Sequence, residues 1–140
     1  WKPFYDRHGV DLVLQGHDHS YARGRTYAGA ENVPTGANVR DGDTGTVYVV
    51  SVSGRKMYDL KPDGWQGYGT EMERQAENVQ LFQVLHVDGE ELRYRAYTAT
   101  GGLYDAFTLR KRPGRANLMV SEVPEGAVTF DYDNTLPYLW

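Results

Sequence analysis

Near its beginning the chain reads Val10-Asp11-Leu12-Val13-Leu14-Gln15-Gly16-His17-Asp18-His19. The first six of these residues are mostly branched and aliphatic and lie between glycines, which predicts a strand buried on both faces in an α/β arrangement. Pro3 and the segment 4–8, followed by Gly9, predict a helix that ends at a residue with positive φ. A short helix therefore leads into a buried strand, and two histidines follow at the carboxyl end of that strand.

Polar segments and β-type segments alternate further along the chain. Residues 20–45 are rich in Gly, Asn, Asp and Thr, which predicts a long loop over the surface. Residues 46–53 are apolar on both alternating faces, and we expect them to form a central strand. A second polar segment, 55–78, is expected to contain one helical turn at 71–75.

The next residues predict an antiparallel meander. Residues 79–87 and 91–98 flank Asp88-Gly89, a pair that favours the tight turn of a hairpin. A second turn at 100–102 leads into a third strand at 103–109. The predicted fold class is therefore α/β tending to mainly β, with a short helix, one buried strand and an antiparallel meander.

Composition limits the classes of function. The chain has 140 residues and 40% hydrophobic content, which is enough for one globular domain with a core. The 15 Lys and Arg residues are interspersed with 19 Asp and Glu, so no basic stripe favours nucleic-acid binding. The absence of Cys excludes disulfides, thiolate zinc sites and thiol catalysis. No segment approaches the roughly 20 apolar residues of a membrane span.

The histidine pair is the strongest functional signal. Imidazole nitrogen suits zinc, iron and manganese, and His17 and His19, two residues apart in a loop, can reach two adjacent metal ions. Two solvated loop histidines are the ordinary alternative. The preceding Gly16, which allows a sharp turn, and the carboxyl end of a buried strand, where α/β proteins bind ligands, favour a metal site.

Several segments together resemble one enzyme family. Residues 10–21 resemble the last signature block of calcineurin-like metallophosphoesterases, and the following Ala22-Arg23 resembles the purple acid phosphatase branch. Residues 45–54 resemble the strand and glycine that follow in that branch, and 83–107 resemble its closing hairpin, which leads to an Asp-x-Phe. The likeness covers about residues 2–109. Ala22 departs from an acidic residue that is common there.

This resemblance implies a β-sandwich that carries two Fe, Zn or Mn ions and hydrolyses phosphate esters with a metal-activated hydroxide. It implies that His17 binds the second metal and His19 the first. The family's Asp-x-His, Gly-Asp and Gly-Asn-His blocks and one further upstream His do not occur here, so no catalytic set is complete in this chain. We therefore expect residues 1–112 to be the C-terminal portion of a catalytic domain, and 113–140 an extension of unassigned structure. The partner is then the missing N-terminal portion.

As a fragment of this kind, the chain is expected to be inactive alone and to bind metal weakly or not at all. The purple branch is mostly exported, which implies a secreted or periplasmic protein by resemblance only. Tyr21 and Arg23 follow the histidines closely enough to bind substrate, since an Arg fork can steady a phosphate; a structural salt bridge is the equal alternative. His8 is expected to interact with its helix end, and His86 to be a packed or edge residue.

Other readings of the sequence remain open. Tyr58, Trp65 and Tyr68 could form a rim for an organic substituent, although packing is the simpler expectation. Asp41-Gly42-Asp43 offers carboxylates but is typical of a turn. A non-catalytic β-rich module that binds carbohydrate or protein is the alternative function. A cupin-like single-metal site is excluded because no Glu follows His19 at the required spacing.

Overall fold

The computed structural model describes residues 1–27, 42–61 and 63–131. These residues form two five-stranded sheets, one short α-helix and one 3-10 turn at Gln66–Tyr68. The remaining elements in chain order are α1 (Lys2–His8), β1 (Leu12–Gln15), β2 (Tyr21–Arg25), β3 (Asp43–Thr44), β4 (Val47–Val50), β5 (Glu71–Glu77), β6 (Leu81–Asp88), β7 (Glu91–Thr98), β8 (Leu103–Arg110), β9 (Asn117–Ser121) and β10 (Gly126–Thr129). The described residues are mainly β with one short α-helix, as the sequence predicts.

The first sheet has the strand order β1-β4-β2-β5-β10. β1 runs parallel to β4, with Leu12 opposite Val47 and Gln15 opposite Val50. β2 is antiparallel to both β4 and β5, and β10 is parallel to β5. All four residues of β4 are buried and both of its edges are paired, which confirms the predicted central strand.

The second sheet has the order β3-β9-β8-β7-β6, and all of its pairs are antiparallel. β6 and β7 form the predicted hairpin, in continuous register from Leu81 opposite Thr98 to Asp88 opposite Glu91. Gly89 in the turn has φ 56°, the left-handed conformation that an Asp-Gly turn favours. β8 continues the meander, so this part of the prediction is confirmed.

Both sheets contribute to a single apolar core. From the first sheet come Tyr21, Val47, Val49 and Ala76, and from the second Leu81, Tyr94, Ala96, Tyr104, Phe107, Leu109 and Met119. The helix α1 is confirmed, with Pro3 in its first turn and Gly9 at φ 59° after its last. Among the described residues, no helix combines the length and apolarity needed to cross a membrane.

The prediction that β1 is buried on both faces is wrong. Val13 is buried, but Leu14 is 50% exposed and Gln15 is also exposed. Within the described residues, β1 is the outermost strand of its sheet and pairs only with β4. At the margin of the sheet β1 has a neighbouring strand on one side only, so the face that carries Leu14 is less completely covered than that of a central strand.

The prediction of a surface loop over 20–45 is wrong for residues 21–25, which form the buried strand β2. Arg23 and Arg25 make this segment resemble a polar loop, because the carboxylates that pair with them lie far away in the sequence, on β5 and β8. Thr44, also within the predicted loop, is buried in β3. Residues 28–41, including Asp41, lie outside the described part of the chain, while Gly42 has φ 83° and Asp43 begins β3.

The predicted helical turn at 71–75 is wrong as well. These residues belong to β5, although Glu, Met and Gln are good helix formers. Pairing with β2 and the burial of Glu73 and Ala76 outweigh that preference of a few tenths of a kcal/mol per residue. In the tail, β9 joins β8 and β10 joins β5, so each sheet gains one strand; residues 132–140 lie outside the described part of the chain.

Candidate metal centre

The two histidines lie in the loop between β1 and β2. Because β1 and β4 are parallel and end in register, the loops that follow them share one edge of the first sheet. The Ser51 N–H donates to the Gln15 carbonyl at 3.2 Å and fastens the two strand ends together. The segment after β4 is therefore the neighbour of the histidine loop.

His19 is held by this neighbouring segment. Its Nδ1 lies 2.9 Å from the Lys56 carbonyl oxygen, and since a carbonyl only accepts, Nδ1 is the donor. The neutral ring then carries its lone pair on Nε2. The Tyr58 N–H donates to the His19 carbonyl at 3.0 Å, and the two rings meet edge to face with centroids 4.7 Å apart. A histidine whose second nitrogen is bound to a carbonyl in this way has the form of a metal ligand.

His17 stands apart from the rest of the chain. Its side chain is 95% exposed, and Nδ1 lies 3.4 Å from the Asp18 Oδ1. Its φ of 82° is in the left-handed region, which few residues other than glycine adopt. The backbone thus holds His17 in an uncommon conformation that turns its ring away from the sheets and leaves it accessible.

The donors on the described chain are few. Among residues 1–27, 42–61 and 63–131, no three His, Cys, Asp or Glu side chains come together as metal ligands. Two imidazoles fit zinc, iron or manganese in ligand type, but the metal sites of proteins commonly take three or four protein ligands. The pair can therefore form part of a centre whose other ligands come from outside the described residues.

Tyr21 and Arg23 lie in the interior, with 0% exposure each, although β2 directly follows the histidine loop. The Tyr21 hydroxyl donates to Asp105 Oδ2 at 2.5 Å and lies 3.2 Å from the Tyr94 hydroxyl. Arg23 donates from Nε to the same Asp105 oxygen at 2.7 Å and from Nη1 to Glu73. A ligand at the surface cannot contact these groups without opening the core.

The charges of this buried cluster balance when Arg25, which pairs with Glu73, is counted with Arg23 against Asp105 and Glu73. Burial lowers the pKa of Arg23, but the hydrogen bond to Asp105 and the charges of Asp105 and Glu73 outweigh that effect and raise it overall. Burial is also the main cause that raises the pKa of Tyr21 and of Tyr94. The guanidinium therefore stays charged and the phenols stay neutral, so the cluster acts as a polar link between the two sheets.

The other sequence candidates lie elsewhere. His8 is exposed and its ring is 4.4 Å from that of Phe4 in the same helix. His86 is exposed on β6, the outermost strand of the second sheet. Trp65 precedes the 3-10 turn and Tyr68 is its last residue, with 72% of Tyr68 exposed. Of the aromatic group, only Tyr58 contacts the histidine loop.

A cavity of about 900 Å³ lies at the opposite, amino-terminal end of β1. Lys111 and Arg112 line it, but each forms an ion pair, with Asp11 at 2.7 Å and with Asp43 at 2.5 Å. It contains neither histidine of the pair. The cavity is thus separate from the candidate metal centre.

Sequence reasoning missed that Lys56 and Tyr58 support His19. The signal that could have found them is the pairing of two aliphatic strands in parallel, because it brings the segments after both strands together. The arrangement can present two imidazoles, one of them with a defined tautomer, at the edge of a sheet. Comparison with family models, with curated proteins and with solved structures finds no match to this chain.

Proposed function

We propose that this chain is the C-terminal portion of a dinuclear metallophosphoesterase of the purple acid phosphatase-like branch. In this proposal His17 and His19 each supply a ligand to a two-metal centre that hydrolyses phosphate esters. The observation that carries it is the hydrogen bond from His19 Nδ1 to the Lys56 carbonyl, which directs Nε2 away as a ligand. The position of the pair, at the carboxyl end of two parallel strands, supports the same conclusion.

The residues have distinct roles in such a centre. Two bound ions of this kind polarise phosphoryl oxygens and activate a water molecule as nucleophile. His19 binds through Nε2 while the Lys56 carbonyl fixes its orientation. His17, on the exposed loop, offers its ring to the neighbouring ion. The buried Tyr21 and Arg23 act on this site only by holding β2 in place below the loop.

The remaining ligands come from an upstream portion of the same domain in this proposal. Support comes from β1 and β6, each of which pairs with a single strand among the described residues and leaves its other edge unpaired. β6 has no Lys, Arg or Pro and no bulge, and its Phe82, Val84 and Val87 are 48 to 66% exposed. Lys, Arg, Pro and bulges ordinarily protect an exposed sheet edge from pairing with further strands. The edges of β1 and β6 are therefore suited to the addition of strands that complete a β-sandwich.

Zinc titration of the chain followed by NMR tests the ligand roles. We expect weak binding that perturbs the imidazole signals of His17 and His19 and is lost in His17→Ala and in His19→Ala. His86→Ala removes an exposed histidine on a distant strand and is the matched control, which should bind zinc as the wild type does. Zinc binding that survives both loop substitutions would contradict the proposal.

Activity tests the claim that the site is incomplete. With p-nitrophenyl phosphate as substrate, the chain alone should show no turnover, and a form extended by the residues encoded upstream should be active. Appreciable turnover by the chain alone refutes this claim. Carbohydrate or protein binding that is unchanged in His17→Ala and His19→Ala would instead favour a non-catalytic binding module.

A further inference from the structure

We infer that Glu77 is a positioning residue for His19, acting through the segment 56–60. This inference rests on the proposed function, in which His19 is a metal ligand. Glu77 itself lies at the end of β5, on the other side of β2 from β4. Two successive sets of hydrogen bonds connect His19 to Glu77, and a third set holds Glu77 itself in place.

The first link joins His19 to the segment. The Lys56 carbonyl accepts from the His19 ring at 2.9 Å, and the Tyr58 N–H donates to the His19 carbonyl at 3.0 Å. The Tyr58 ring packs against the imidazole, and the Lys56 ammonium lies 5.0 Å from the centre of the Tyr58 ring. The orientation of the imidazole therefore depends on where this segment lies.

The second link fastens the segment to the sheet. The Leu60 N–H donates to Glu77 Oε2 at 2.7 Å. Lys56, Tyr58 and Asp59 are exposed, and Met57 and Leu60 are only partly buried, so apolar burial is a limited contribution to holding the segment. A hydrogen bond to a charged carboxylate contributes more than one between neutral groups, which makes Glu77 the stronger anchor.

The third link holds the carboxylate. Glu77 Oε1 accepts from the Thr129 hydroxyl at 2.7 Å, and the Glu77 carbonyl accepts from the Phe130 N–H at 3.1 Å. Thr129 lies opposite Glu77 in the parallel pairing of β10 with β5. Each carboxylate oxygen thus has its own donor, one on the tail strand and one on the segment that supports His19.

The consequence concerns the tautomer and the metal affinity of His19. When the carboxylate is removed, the segment loses its anchor and the Lys56 carbonyl no longer selects the form with a proton on Nδ1. Loss of a group that orients a ligand histidine through its second ring nitrogen lowers metal affinity by roughly 10 to 100-fold. We therefore expect Glu77→Ala to weaken zinc binding although Glu77 does not touch the metal.

Nitrogen-15 NMR of the histidine rings tests this inference directly. In the wild type, the neutral His19 ring should carry its proton on Nδ1. Glu77→Ala should shift His19 toward a mixture of both tautomers, whereas Glu77→Gln keeps an oxygen acceptor for the Leu60 N–H and should retain most of the wild-type signature. Glu71→Ala, which removes an exposed glutamate from the other end of the same strand, is the control.

The zinc titration separates this inference from the proposed function. A changed tautomer in Glu77→Ala, with Glu71→Ala unchanged, supports the positioning role whether or not zinc binds. An unchanged tautomer overturns it even if the wild type binds zinc. Failure of the wild type to bind zinc counts against the metal centre alone. Thermal unfolding identifies a Glu77→Ala protein that does not fold. In that case Thr129→Val, which removes the donor to Glu77 Oε1, decides: a shifted His19 tautomer supports the positioning role and an unchanged one overturns it.

Discussion

Arg23 and Asp105 form an ion pair that joins the two sheets, with Nε 2.7 Å from Oδ2 and Nη2 3.1 Å from Oδ1, and neither side chain is exposed. The two residues are separated by 82 positions in the sequence. The Arg23 guanidinium also lies over the Phe107 ring, 5.3 Å from its centre. A charge at this depth is tolerated because each of its neighbours supplies a hydrogen bond or an opposite charge.

We expect Asp105→Asn to destabilise the protein by about 3–5 kcal/mol, because it leaves a buried guanidinium without its main counter-charge. Urea unfolding followed by circular dichroism measures the change. Glu91→Gln is the control, since Glu91 pairs with Arg93 and Arg110 at the surface. The loss in Glu91→Gln should be far smaller, and equal losses in the two variants would contradict the role of burial.

The buried tyrosines predict a loss of stability at alkaline pH. Burial raises the pKa of Tyr104 to about 12 and also raises the pKa of Tyr21 and Tyr94. In the unfolded chain phenols ionise near pH ~10. The folded state keeps its protons longer, so this contribution is complete below pH ~10 and is lost as the pH rises toward the folded pKa values. Free energies of unfolding, measured at several alkaline pH values alongside phenolate absorbance, should show this fall.

Tyr104→Phe isolates one part of that dependence. The variant removes a phenol that donates to the Gln75 carbonyl, so its stability near neutral pH should also be lower. Its free energy of unfolding should fall less steeply with pH than that of the wild type. A slope identical to the wild type's would show that Tyr104 does not contribute.

The left-handed backbone of His17 predicts that the residue type that suits the fold best at this position, glycine, is not one that can bind a metal. A Cβ atom in the left-handed region costs about 1–2 kcal/mol, which glycine avoids. The greater conformational entropy that glycine loses on folding offsets part of this advantage, so we expect His17→Gly to be more stable than His17→Ala by about 1 kcal/mol. Urea unfolding measures the difference, and zinc titration should show that both variants lose the ligand. A more stable His17→Ala would mean that the positive φ relaxes on substitution.

Close packing of β2 against β5 predicts that replacing Gly24 by any residue with a Cβ atom lowers the stability of the fold. A Cβ atom there would collide with the Glu71 carbonyl oxygen and lie 3.1 Å from the Met72 Cα, and backbone atoms cannot move aside cheaply. Gly24→Ala should cost about 1–3 kcal/mol in unfolding free energy. Gly54→Ala, where a Cβ meets nothing within 4 Å, is the matched control and should change stability by less than about 1 kcal/mol. Equal effects would contradict the steric explanation.

The local features of the fold could be predicted because neighbouring residues determine them. Pro3 and Gly9 mark the two ends of α1, and Asp88-Gly89 with the alternation along β7 indicates a hairpin. Each of these signals lies within a few residues of the structure it specifies. The histidine pair is recognisable for the same reason, since its spacing and the preceding strand are both local.

Other features could not be predicted because distant residues decide them. The charged residues of β2 predict a loop, and those of β5 predict a helical turn. Both segments are strands because Arg23 and Arg25 pair with Glu73 where β2 lies beside β5. The exposure of Leu14 likewise depends on which strands lie beside β1.

The sequence by itself determined the helix, the hairpin, the meander and the two imidazoles, because short-range sterics and hydrophobic periodicity act within each segment. Only the tertiary structure decided that Arg23 is buried rather than open to a ligand, and that the His19 ring donates to the Lys56 carbonyl. Those outcomes depend on desolvation and on hydrogen bonds between residues 37 or more positions apart, such as His19 and Lys56, and no local pattern records them.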